Sequence, residues 1–416
     1  MSPAFSDFAK LLIHFSRTVC CENTRHGKIA NFSIKTDIQH CLRLYPDLNV
    51  PTPTAQLSLP IQSSRRCAKV EQVNIVSRVE QFIRTVPKAE LHMHLEGSME
   101  PEMLFRLAER NRITLRWPSE KALLAAYEFA NLQDFLALYF EGCRVLVTEK
   151  DFYDVTAAYL EKASEQGVKR AELFLGPQSF TERGVPLEGI MHGVLGAIQD
   201  ARSSNVISAA YILSVHRHKP LEEALQLLNS IEPWSEHIVG VGMGGPEVGY
   251  PPGRFRPFYL KAKALGYRTT VHAGEEGPPS YIRQALDTLL VERIDHGVTA
   301  CHDEALMEQL AADQIPLTVC PLSNLRLKVV PSLEAHPLKK MLRRGLCVSV
   351  HSDDPPYFGG YVNENLQACC KALSLSVEDI AALARNSFLG SFAPPDEIQK
   401  NVAAVNQHLD VFLTGS

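Results

Sequence analysis

Nowhere in the 416 residues is there a run approaching the ~18 to 20 uninterrupted apolar residues that a membrane helix needs. Nor is there an excess of positive charge: 42 Lys and Arg against 47 Asp and Glu leave a net charge of −5. That lacks the basic footprint of a nucleic-acid binder, so neither membrane nor nucleic acid is expected as a partner. The ten cysteines fall at irregular intervals, with neighbours at Cys20-Cys21 and Cys369-Cys370 and no CxxC. Adjacent cysteines in a large chain do not make a disulfide framework, and a thiolate zinc finger lacks its spacing. With no hydrophobic signal segment at the start, a cytoplasmic protein is expected. What remains is ordinary soluble usage, 45% hydrophobic and 21% charged, enough for a large core in one or two domains.

Two parts are predicted. Residues 1–72 carry Ser, Pro and Thr clusters, as in PTPTAQLSLPIQSS at 51–64, with weak periodicity. They are expected to be a disordered N-terminal extension. A transit peptide is the other reading, opposed by Asp7 and Glu22. Residues 73–416 hold the regular pattern. KAELHMHLEG (88–97), AELFLG (171–176), SAAYILSV (208–215) and IVGVGMGG (238–245) form buried-strand patterns. So do RTTVHAGE (268–275), ERIDHG (292–297), PLTVCPLSN (316–324) and LCVSVHSDD (346–354). Helical stretches such as EMLFRLAER, FLALYFEGCRVL, TAAYLEKASEQ and LEEALQLLNSI alternate with them. Eight apolar strands alternating with helices predict an α/β fold, a (β/α)8 TIM-type barrel. The insertion between 98 and 165 is expected to place extra helices over the C-terminal rim.

The chemistry-bearing residues recur at one place in each unit. His92 and His94 close the first strand, and His272 and Glu275 follow the fifth. His296 ends the sixth, and Asp353 and Asp354 the eighth. In a barrel all these ends meet at one rim, where barrel enzymes carry their chemistry. Side chains two apart on a strand share a face, so His92 and His94 can reach one metal ion. HMH alone is weak evidence. HAGE, DHG and SDD at later strand ends, in this order, turn it into a metal-site pattern.

HMHLEGS, VHAGEEGPP, RIDHG, VCPLSN and HSDDPPYFGGY resemble the adenosine/adenine deaminase family of the amidohydrolase superfamily, in the family's order over roughly residues 84–400. GEEGP, CPLSN and DDPPYFGGYVNEN are similar to the adenine deaminase branch. The resemblance implies that His92, His94, His272 and Asp353 bind one Zn2+ per chain; the fourth strand has no lysine to bridge a second. It makes Glu275 the proton donor, has His296 assist the attacking water, puts Asp354 on the purine and lets the Gly245 N–H meet ring N3. The chemistry agrees: a metal lowers the pKa of water toward ~7, and a protonated acid at ring N1 makes C6 electrophilic. The cytidine-deaminase type, which needs HxE with PCxxC, is excluded.

The expected reaction is adenine to hypoxanthine plus ammonia, on a small-molecule purine. Adenosine and N6-substituted adenine are the alternative substrates, and an inactive purine-binding relative is the reading from another class. Nucleoside-deaminating members carry Asp where this chain has Glu96, whose extra methylene fills space a sugar would need. One departure stands out. The adenine branch commonly reads Leu-Asp-Ser-Ser-Glu after the fourth strand, where this chain has Met243, Gly244, Gly245, Pro246 and Glu247. His216 and His218 are expected to line the pocket or serve structure, Cys320 to be a core residue in a strand, and Glu276 to be a solvated neighbour of the acid.

Overall fold

The computed structural model describes residues 78–204 and 207–415; the expected extension, residues 1–72, lies outside them. Eight strands run in chain order: β1 (Lys88–His94), β2 (Val168–Leu175), β3 (Ser208–His216), β4 (Ile238–Gly244), β5 (Arg268–Ala273), β6 (Arg293–His296), β7 (Leu317–Val319) and β8 (Val348–Val350). Each pairs in parallel with the next. Nearly every strand residue is buried, as a parallel sheet covered on both faces requires. β7 and β8 are shorter than the apolar runs suggest. Pro321 opens a short helix, Pro321–Arg326, two residues past β7, and Pro355 opens another, Pro355–Phe358, five residues past β8, because proline at the first helical position has its φ preset for the turn.

The ring closes by an irregular seam. β8 and β1 share a single bridge, Met93 with Asp353. There the His94 N–H donates to the Asp353 carbonyl at 3.0 Å and the Asp353 N–H to the His92 carbonyl at 2.9 Å. The helix Val377–Leu389 lies over this seam, where Ser387 Oγ accepts from the Ala89 N–H at 2.8 Å and Asn386 Nδ2 donates to the Val348 carbonyl at 2.9 Å.

Four helices stand between β1 and β2: α1 (Pro101–Arg110), α2 (Glu120–Ala125), α3 (Leu132–Cys143) and α4 (Glu149–Glu165). Ser119 and Asn131 cap α2 and α3, and a Thr148–Asp151 capping box starts α4. The insertion is divided in role. α3 covers the mouth of the barrel, whereas α4 packs on β2 and on α5 (Leu187–Ser203) in the outer ring. Leu187, Ile190, Met191, Val194 and Ile198 carry the helical period through α5, although Gly189, Gly193 and Gly196 lower its helix propensity. Packing explains the glycines: a Cβ on Gly193 would lie 2.3 Å from the Glu149 carbonyl, so glycine lets α4 and α5 approach.

Candidate active site

The rim brings the expected residues together. His94, Gly245, His272, Glu275, His296, Asp353 and Asp354 line one pocket at the C-terminal ends of the strands, and His92 lies buried behind them. Leu132, Phe135, Leu136, Tyr139 and Phe140 of α3 form much of its apolar wall.

His92, His94, His272 and Asp353 each offer one ligand atom, and these atoms lie within 4.8 Å of one another. His272 Nε2 is 3.1 Å from the Nε2 atoms of both His92 and His94, and Asp353 Oδ1 is 3.6 and 3.4 Å from those same two atoms. Zinc bonds of ~2.1 Å give tetrahedral ligand separations of about 3.4 Å, so the spacing fits such a shell. The tautomer fits too. His92 Nδ1 lies 3.1 Å from the Thr318 carbonyl, which can only accept, so Nδ1 carries the proton and Nε2 turns a lone pair to the centre. Lone pairs this close are satisfied together by a cation between them. Burial keeps the rings neutral and able to ligate, pulling His92 down to about 3, His94 to about 4 and His272 well below the ordinary range.

Behind the cluster sits Asp295, buried on β6. Its Oδ2 accepts from Thr270 Oγ1 at 2.7 Å and lies 3.6 Å from His272 Nδ1; its Oδ1 accepts from Thr318 Oγ1 at 2.9 Å. Thr318 Oγ1 in turn is 3.0 Å from His92 Nδ1, so this carboxylate orients His92 through Thr318 and stands beside His272 without a hydrogen bond to it. Nothing in the spacing marks Asp295 beyond its place in RIDHG.

Glu275 follows β5 and is buried. Its carboxyl is pushed well above the usual range by burial first, then by the charges of Asp353, Glu247 and Glu276, with Arg217 opposing. Its Oε2 lies 3.5 Å from His296 Nε2, which is 4.0 Å from Asp353 Oδ2. His296 and Asp353 both have left-handed backbone, φ 66° and 63°, a conformation that non-glycine residues hold only where the surroundings impose it. Asp354 presents a buried Oδ1 with no hydrogen-bond partner, and burial followed by the Asp353 charge pushes its carboxyl well up. Glu96 anchors Oε1 on the Gly176 N–H at 2.8 Å and leaves Oε2 buried and unpartnered; burial pushes this carboxyl up to about 7. Gly245 has φ 93°, a left-handed turn that favours glycine.

Three expectations are refined. His216 lines the pocket, tied by Nε2 to Ser179 Oγ at 2.8 Å, while half-buried His218 belongs to a neighbouring cleft. Cys320 is buried, but it follows β7 instead of lying in it. Glu276 is half-buried, not freely solvated: Oε1 accepts from the Leu132 N–H at 3.5 Å where α3 begins. Spacing also misses Glu247 and Arg217. The buried Glu247 carboxylate accepts the N–H groups of Gly274, Glu275, Glu276 and Gly277. Buried Arg217 donates from Nη1 to the His272 carbonyl at 2.9 Å and from Nε to the Tyr250 carbonyl at 3.0 Å.

Known proteins are similar to this chain over most of its length. An adenine deaminase of Rhodopseudomonas palustris is 56% identical over 319 residues, 77% of this chain and 93% of that protein. One from Caulobacter vibrioides is 47% identical over 328 residues, 79% of this chain and 95% of the relative. Among solved structures, adenine deaminase from Arthrobacter aurescens matches with a TM-score of 0.77 at 45% identity, over 78% of this chain and all of that one. An amidohydrolase from Burkholderia ambifaria with bound zinc matches with a TM-score of 0.75 at 26% identity, over 87% of this chain and 97% of that one. The sequence profile of the adenosine deaminase family matches residues 87–408, most of the chain. With its eight-stranded barrel and a His/Asp cluster suited to a metal, this chain belongs to the adenosine deaminase family of hydrolytic deaminases.

Proposed function

We propose that this protein hydrolyses the exocyclic amine of adenine, converting adenine and water to hypoxanthine and ammonia. The observation that carries this reading is a buried carboxyl, Glu275, facing the same pocket as the four-residue cluster, in a setting that raises its pKa and so favours its protonated form. His92, His94, His272 and Asp353 would hold one zinc ion, whose chemistry is to lower the pKa of a water toward ~7. Glu275 donates its proton to ring N1, which weakens aromatic resistance at C6. His296 orients the attacking water and takes up its proton. Asp354 meets N7 with its unpartnered oxygen, and the Gly245 N–H faces N3. The α3 wall stacks on the ring and excludes bulk water.

The free base is favoured over the nucleoside by Glu96. Its buried, unpartnered Oε2 is an acceptor for the N9–H that adenine has and adenosine lacks. Relatives named adenine deaminase support the same choice. The test is kcat/KM for adenine, adenosine and an N6-alkyl adenine on one preparation. Adenine should lead adenosine by at least tenfold, about 1.4 kcal/mol of transition-state preference. Adenosine leading by that margin would overturn the free-base reading.

The catalytic unit is proposed to be residues 73–416. About four-fifths of this chain covers 93% and 95% of the two relatives, and the family match begins at residue 87. Removing residues 1–72 should therefore leave kcat/KM and Tm unchanged. Recovery of only insoluble or inactive protein would show that the barrel needs that segment.

A further inference from the structure

The β5 turn that bears Glu275 is held from outside its own strand. Glu247, three residues past β4, sends a fully buried carboxylate under it. Oε1 accepts from the Gly274 N–H at 2.7 Å; Oε2 accepts from Glu275 at 3.0 Å, Glu276 at 2.8 Å and Gly277 at 2.7 Å. Four consecutive amides thus converge on one side chain, whose two oxygens can only accept. Charge-assisted bonds of this kind are the strong ones. The turn is shaped to admit it: a Cβ on Gly277 would sit 2.6 Å from Glu247 Oε1. Nearby Arg217 feels the same charge, since burial pushes its pKa down and Glu247 pushes it back up.

We propose that Glu247 is the positioning residue for the proton donor: by gathering the amides of Gly274–Gly277 it fixes the backbone of Glu275 and holds that carboxyl against His296. This rests on the reading of Glu275 as the acid. A carboxylate that only stapled the fold could bind any turn, whereas this one binds the Glu275 amide itself and the amides on either side. Displacing a reacting group by about 1 Å can cost ~10²-fold in rate, so the staple has catalytic consequences without touching substrate.

The test is a double-mutant cycle on the zinc-loaded full chain, with Glu247→Gln, Glu275→Gln and the pair. The amide of Gln turns an N–H donor toward at least one of the four N–H groups. Glu247→Gln should lower kcat on adenine by about 10²-fold while changing KM by less than about threefold, with zinc content unchanged. In the Glu275→Gln background the same change should cost less than about threefold, because there is no acid left to aim. A further loss of about 10²-fold in that background, or no loss in the single variant, would overturn the proposal. If Glu247→Gln does not fold, Gly277→Ala perturbs the same contact from the other side and runs through the same cycle. Full activity in Glu275→Gln alone would instead remove the assignment of the acid, a separate outcome.

Discussion

Glu275→Gln is expected to retain its zinc and lose about 10²- to 10⁴-fold in kcat, the range a general acid contributes. Gln is close in size and can accept a hydrogen bond, but it has no proton to give to ring N1. The setting argues for so large an effect. Burial and the charges of Asp353, Glu247 and Glu276 raise the Glu275 carboxyl well above its ordinary range, which favours the protonated form that an acid needs. The sign follows for pH. An acid that must start protonated supports turnover below its pKa, so kcat/KM of the unaltered enzyme should fall on the alkaline side as Glu275 ionises. That alkaline limb should be missing from the residual activity of Glu275→Gln. Near-normal turnover in a zinc-loaded variant would move the donor's role to another group.

His272→Ala should be more damaging still. Its Nε2 stands 3.1 Å from the Nε2 atoms of both His92 and His94, so its loss opens the middle of the cluster. About one zinc per chain is expected in protein purified without added metal, and much less in the variant. Activity should fall by more than about 10⁴-fold, because the nucleophile then comes from water of pKa ~15.7 instead of ~7. Chelation of the unaltered enzyme should reproduce the loss, and added zinc should restore it. Metal analysis alongside kcat/KM decides the matter: a metal-free protein that kept full activity would refute the site.

The residues that announce themselves in the sequence are those whose chemistry is rare at a strand end. His92, His94, His272, His296, Asp353 and Asp354 stand at such ends and converge in the pocket or, for His92, directly behind it. The barrel was legible for a related reason, since strands buried on both faces leave unbroken apolar runs. Residues that act through backbone groups left no comparable mark. Glu247 serves four amides 27 to 30 positions downstream, and an amide has no letter in the sequence. Arg217 is hidden likewise, since its partners are the carbonyls of His272 and Tyr250. Asp295 and Thr318 needed the β6–β7 register, which pairs them directly and no spacing reveals.

The seam between β8 and β1 has a consequence for how the molecule assembles. Three of the four proposed ligands, His92, His94 and Asp353, belong to the bridge that joins the first strand to the end of the last, about 260 positions away. Every other neighbouring pair of strands can dock as the chain lengthens; this pair must wait for the whole circuit and bear the loop-closure entropy of joining distant segments. The pocket is therefore expected to form late on folding, since a polypeptide that has not closed the ring lacks the bridge that sets these residues together. A cation seated among these residues would bind only the closed ring, and by mass action would act as a clasp that stabilises the joined ends.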